Sequence, residues 1–255
     1  MRPVRLIVFC VIVLVLAGGG YWLYQRNTDP RIVGIPPKIN PDGTIDYFLV
    51  NWLEKPPVYW VLRFPKELKV WGDEIDGDGA IIIGGEKTVG FRSQKNDIIA
   101  FSLLLPDLTP ISGEMEKYDD RNKVNIVLSG NVFFDRQSLR NLEKSDIGEH
   151  CVLAGEFAPD IFEYVSDGVA NGAFCLPEDK LTEKTNYLLR DPTGELLGFV
   201  RCNGKSENCR ASVWIPEQRP MLIRFNRQHL RRLPEIYTAV SNLVTQSTIR
   251  IDLIH

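Results

Sequence analysis

The sequence predicts an α+β fold: a mainly antiparallel β-sheet domain with a few packed helices, carried behind an N-terminal transmembrane helix. Three observations predict it. Short runs of β-branched and aromatic residues recur from Thr44 onward, punctuated by Gly, Pro, Asn and Asp. One segment near the C-terminus, Pro234–Gln246, instead repeats its apolar residues at helical spacing. Leu6–Tyr24 is a run of 19 residues without a charge.

That run comes first in the chain. A helix rises about 1.5 Å per residue, so the run roughly matches a bilayer core of about 30 Å. Arg2 and Arg5 precede it, and Tyr21, Trp22 and Tyr24 stand at its far end, where aromatic rings favour the headgroup region. A cleavable signal peptide would cut among Ala17–Gly20, but the apolar run continues past those residues, so an uncleaved anchor over 1–26 is the preferred reading. Residues 27–43, with Pro30, Pro36, Pro37 and Pro41, read as a stiff spacer. The remainder, 44–255, reads as one domain, with 146–148 as the place where two lobes would divide.

Within that domain the predicted strands are Thr44–Leu49, Val58–Phe64 (extended by Lys66–Trp71), Ala80–Ile83, Ile98–Leu105, Lys123–Ser129 and Cys151–Phe157. A second group follows: Tyr187–Arg190, Leu196–Arg201, Ala211–Ile215 and Met221–Phe225. Phe134–Lys144 contains a short helix. Pro159–Gly172 follows neither period. In Pro234–Gln246, Ile236, Tyr237, Val240, Leu243 and Val244 share one face, and Pro234 fits a first turn. Ile249–Ile254 alternates like a closing strand.

Composition admits a real core, with 44% hydrophobic and 25% charged residues. Net charge is −3, and without the three arginines before Asn27 the rest holds 27 basic and 33 acidic residues, net −6. An acidic domain lacks the clustered Lys and Arg that nucleic acid requires, and as a whole it suits a basic protein partner.

Cys10 lies in the apolar run, leaving Cys151, Cys175, Cys202 and Cys209. An even count behind an export segment points to two disulfides in an oxidising compartment on the non-cytoplasmic side. Asn203-Gly204 and Ser206–Asn208 are turn formers between two apolar runs, so Cys202 is expected to face Cys209 across a hairpin tip, leaving Cys151 for Cys175. The spacings do not match zinc ligation.

Chemistry-bearing patterns are sparse. Glu74, Asp76 and Asp78 occupy alternate positions before Gly79, as in the first part of an EF-hand loop, which would make them ligands for calcium. Gly85 then stands where a bidentate Glu belongs, so the preferred reading is an acidic hairpin turn and no cofactor. His150, His229 and His255 form no metal or protease pattern, and no phosphate loop or nucleophile elbow occurs. The expectation is a protein-binding module and not an enzyme. Its exposed charges are the acidic turn Asp73, Asp76 and Asp78 and the basic stretch Arg224, Arg227, Arg231 and Arg232.

The C-terminal third, L-L-R-D-P-T-G-E-L-L-G-F-V-R-C followed by a second Cys and M-L-I-R-F-N-R-Q-H-L-R-R-L-P-E-I-Y-T-A-V-S-N-L-V, together with the anchor, resembles membrane-tethered envelope proteins of Gram-negative bacteria found near toxin and type VI secretion loci. Several of these are immunity factors. The resemblance implies a stoichiometric blocker whose partner is a toxin delivered to the periplasm. An envelope assembly factor is the alternative, and a hydrolase with an unrecognised site is a third reading.

Overall fold

The computed structural model describes residues 37–51, 53–68, 70, 73–75, 81–83, 98–111, 119–130, 140–141, 143, 151–166, 184–203, 207–215 and 219–253. The expected anchor over Leu6–Tyr24 lies outside them; among the described residues no helix is long and apolar enough to cross a membrane.

In chain order the strands are β1 (Lys38–Ile39), β2 (Thr44–Asn51), β3 (Val58–Pro65), β4 (Asp73–Ile75), β5 (Ile81–Ile83), β6 (Ile98–Leu104), β7 (Thr109–Pro110) and β8 (Lys123–Ser129). Then come β9 (Cys151–Ala158), β10 (Ile161–Ser166), β11 (Lys184–Arg190), β12 (Leu196–Asn203), β13 (Asn208–Ile215) and β14 (Arg219–Asn226). A 3₁₀ turn, Arg227–Arg232, leads into the helix α1 (Leu233–Ser247), and β15 (Thr248–Leu253) follows.

Two antiparallel sheets hold almost all of these strands. The small one runs β1-β2-β3-β15 and the large one β7-β6-β8-β14-β13-β12-β11-β10-β9, while β4 and β5 pair separately. The large sheet takes strands from both sides of 146–148, because β14 pairs with β8.

The alternation read from the sequence decides which side of each strand is buried. Ile45, Tyr47 and Leu49 of β2 and Trp60, Leu62 and Phe64 of β3 share one core with Ile99, Phe101 and Leu103 of β6 and Val124, Ile126 and Leu128 of β8. Phe64 meets Phe101 across the two sheets with ring centroids 5.4 Å apart. Leu233, Ile236, Val240 and Val244 of α1 close the same core. Pro234 stands at the helix start and Glu235 in its first turn, both favourable there. Gly130, just after β8, lies against β2: a Cβ there would lie 2.1 Å from the carbonyl oxygen of Val50, so only glycine fits.

On its other side the small sheet carries an ion pair whose carboxylate is buried and whose guanidinium is partly exposed. Arg63 donates from Nε and Nη2 to the two carboxylate oxygens of Asp46 at 2.7 and 3.0 Å, and Asn40 Nδ2 donates to Asp46 at 2.9 Å. The Arg63 bond, opposed by burial and helped by Asn40, holds the Asp46 carboxyl below its ordinary range.

The expected strands and the helix are present, with three differences. Lys66–Trp71 does not extend β3: the chain turns at Lys66–Leu68, and Val70 returns only as an isolated bridge to Phe101. The spacer is not wholly extended off the domain, because Lys38 and Ile39 pair with Asp46 and Ile45. The aperiodic segment Pro159–Gly172 contains β10, in which Phe162, Glu163 and Tyr164 are all half-buried, so no apolar alternation marks it; β9 pairs with it through two register shifts. Of the expected helix Phe134–Lys144, Arg140 and Asn141 are helical.

Candidate protein-binding surface

The hairpin of β12 and β13 sets the geometry of the surface. Cys202 and Cys209 stand opposite one another and are joined as a disulfide, both buried in the main core. Successive side chains point to opposite faces of a strand, so Arg201 and Arg210, also directly opposite, stand on the outer face. The next pairing puts Arg224 of β14 opposite Arg210. The row continues through Asn125 to Ser102 on one side and through Asn186 to Tyr164 on the other.

Hydrogen bonds tie down the flanks of this row. Ser102 Oγ donates to Asn125 Oδ1 at 2.6 Å, and Arg201 Nε donates to Asn186 Oδ1 at 3.2 Å. Between them, Arg210 and Arg224 are exposed. Among the described residues no ion pair or hydrogen bond involves either side chain. Like charges directly opposite in an antiparallel pair repel, so three successive arginines are a standing electrostatic cost.

The neighbouring rows sharpen the picture. On one side lie Val127, Leu222, Ser212, Phe199 and Leu188, in that order across the sheet. Leu188 belongs to a second, smaller core on this face with Leu196 and Trp214, against which Phe199 packs. On the other side lie Lys123, then Asn226, Asn208, Asn203 and Lys184. From β8 to β11 these three rows contain no acidic residue, in a domain whose total charge is acidic.

The basic stretch expected as one patch is not one. The chain leaves β14 at Asn226, whose side chain accepts from the Gln228 amide and starts the 3₁₀ turn. Arg224 is therefore left on the outer face and the rest turn away from it. Arg227 Nη2 donates to Thr185 Oγ1 and Tyr187 Oη at 3.2 and 3.3 Å, and Tyr187 belongs to the main core. The Arg231 guanidinium lies 5.2 Å from the centre of the Phe157 ring, a cation–π contact. Arg232 donates to both carboxylate oxygens of Glu235 at 3.0 and 2.8 Å and to the carbonyl of Pro106 at 3.0 Å. Its bonds hold the Glu235 carboxyl below its usual range.

Of the acidic turn, Asp73 and Glu74 lie in β4, paired with Ile83 and Ile82 of β5 as in a hairpin. Asp76 and Asp78 fall outside the described residues. Among the described residues no cluster of three His, Cys, Asp or Glu could hold a metal. Cys151 is disulfide-bonded, and its expected partner, Cys175, lies outside the described residues.

Arg201 and Arg210 were missed as site residues, although a signal was present. If Cys202 faces Cys209, the residue before one must face the residue after the other.

The fold is shared with an immunity protein. The structure of an immunity protein of the Stenotrophomonas maltophilia type IV secretion system matches with a TM-score of 0.54, covering 85% of this chain and 100% of that one at 12% sequence identity. At that identity the likeness is one of fold. The neighbour's secretion system is type IV, where the resemblance in the C-terminal third pointed to type VI loci. No protein-family model and no curated protein matches the chain.

Proposed function

We propose that this protein is an immunity-type binding module that blocks a cognate toxin by stoichiometric association and turns nothing over. The observation that carries the reading is the fold shared with an immunity protein over the whole of that neighbour. It is independent of the resemblance in the C-terminal third, and the two converge on one role. The outer sheet face, with its exposed arginines beside half-buried Phe199 and Leu222, has the composition of a protein interface, in which Arg and aromatic residues are favoured.

The run Leu6–Tyr24 would hold the domain at the inner membrane, on the periplasmic side. The Cys202–Cys209 disulfide supports that compartment, because such bonds persist where the environment is oxidising. A tethered blocker stays where a delivered toxin arrives.

The full chain, purified in a non-ionic detergent, is to be titrated against purified toxins encoded beside its gene. Inhibition that saturates near one equivalent is expected. Hydrolysis of an envelope substrate by the purified protein, with no neighbouring toxin inhibited, would overturn the reading.

A further inference from the structure

We infer that the row Arg201–Arg210–Arg224 on the outer face of the large sheet is the docking site for a carboxylate-rich segment of the protein partner. The inference rests on the binding-module reading above and names the surface and the partner chemistry.

The argument begins with the cost of the row. Neighbouring strands lie about 4.8 Å apart, so the three guanidinium groups share a strip about 10 Å wide. Backbone pairing fixes their positions, and the disulfide one residue away fixes the register of β12 against β13. A sheet face that needs only to be wet is served by a neutral polar residue, as at exposed Asn208 in the next row toward the hairpin tip. The chain also has acidic residues in excess, yet none stands in the three rows from β8 to β11. Elsewhere arginines are matched inside the molecule: Arg63 by Asp46, Arg121 by Asp119 and Arg232 by Glu235. At Arg210 and Arg224 no such match exists among the described residues. Charge that the fold concentrates and leaves uncompensated finds its complement outside the molecule.

The chemistry of that complement follows from the donors. A guanidinium is a rigid fork that takes a carboxylate through two parallel hydrogen bonds. The two exposed forks, Arg210 and Arg224, match neighbouring Asp or Glu side chains, with the charge of Arg201, bonded to Asn186, beside them. The flanking row of Val127, Leu222 and Phe199 gives apolar area to cover at the same time. Nucleic acid fits less well. Beyond residue 26 the chain is net −6, so an extended polyanion meets repulsion outside the patch, whereas a folded partner brings its carboxylates to this face alone. The global charge alone had favoured a basic partner; the local charge of the exposed face reverses that sign.

The test uses the full chain in a non-ionic detergent and two probes of equal length and label: a peptide of ten glutamates and a single-stranded DNA of ten nucleotides. The variants are R210E/R224E, the neutral R210Q/R224Q, and R121E/R250E, which makes the same charge change away from the row. The glutamate peptide is expected to bind the wild type and the R121E/R250E control alike. R210E/R224E should weaken it on the order of tenfold or more, R210Q/R224Q by a smaller factor, and the difference should shrink as salt is raised. R210Q/R224Q should melt no lower than the wild type, because it relieves repulsion; a lower melting temperature would mean that the arginines hold the sheet together, and would overturn the inference. So would DNA binding tighter than the peptide through the same row, or peptide binding indifferent to both row variants. The two readings separate cleanly. A toxin inhibited equally by wild type and R210E/R224E leaves the immunity role and removes this surface. A peptide held by the row, with no toxin inhibited, does the reverse.

Discussion

Replacing both cysteines of the β12–β13 hairpin, C202A/C209A, should cost about 3–4 kcal/mol of unfolding free energy. The bridge closes a loop of sequence separation 7. For so short a loop the chain-entropy relation gives about 2.5 kcal/mol at 25 °C. A second contribution comes from burial. Cys202 and Cys209 are 0% and 2% exposed, between Thr185 and Phe225 in one inner row, so removing two sulfurs leaves a void in the main core. Transfer and cavity together add about 1 kcal/mol. The assay is urea unfolding of the full chain in detergent under non-reducing conditions, followed by tryptophan fluorescence, since Trp60 and Trp214 are both buried. The Cys151 bridge stays in place in both proteins, so the comparison isolates this hairpin. A loss under about 1 kcal/mol would refute the reasoning, because it would mean that neither the closure of the loop nor the burial of the sulfurs acts as described.

Three further outcomes are expected. Gly130→Ala must push back the Val50 carbonyl, and should destabilise by about 3 kcal/mol or more in the same unfolding assay. Phe64→Ala removes the ring that meets Phe101 between the sheets and should cost about 3–5 kcal/mol; a loss below 1 kcal/mol would show that the sheets do not pack through it. The Asp46 carboxyl is held below its ordinary value in the folded protein, so its contribution is fully present above the unfolded pKa of about 3.9 and is lost as pH falls through the folded value. Thermal melts between pH 7 and pH 2.5 should therefore fall at the acid end for the wild type, and D46N should start lower and fall less.

The local elements were legible because their signals are local. Alternation in Lys123–Ser129 and Leu196–Arg201, the helical spacing of Ile236, Val240 and Val244, and the turn formers between Cys202 and Cys209 each lie within a dozen residues. The sheet order was not legible, since the pairing of β8 with β14 joins segments about a hundred residues apart and no short-range pattern encodes it. The candidate site shows the same division. Arg224 was grouped with Arg227, Arg231 and Arg232 because they are neighbours along the chain. In space its neighbours are Arg210 and Arg201, which hairpin register brings beside it, while the turn at Asn226 sends the others to the helix side. β10 escaped because Phe162, Glu163 and Tyr164 are all half-buried, so neither face of the strand is marked by an apolar alternation.

The small sheet has a temporal consequence. Its inner strand β3 is flanked by β2, made almost at once, and by β15, made almost two hundred residues later; Tyr59 Oη donates to Asp252 Oδ2 across a separation of 193 residues. A chain emerging N-terminus first therefore carries β3 with one edge unsatisfied until β15 has been delivered. Any product that stops within α1 displays that edge, together with the apolar side of β3 that the helix should cover. Arrival of β15 is thus recorded in the fold itself, and a chain interrupted before it is marked for aggregation or proteolysis at the open edge of β3.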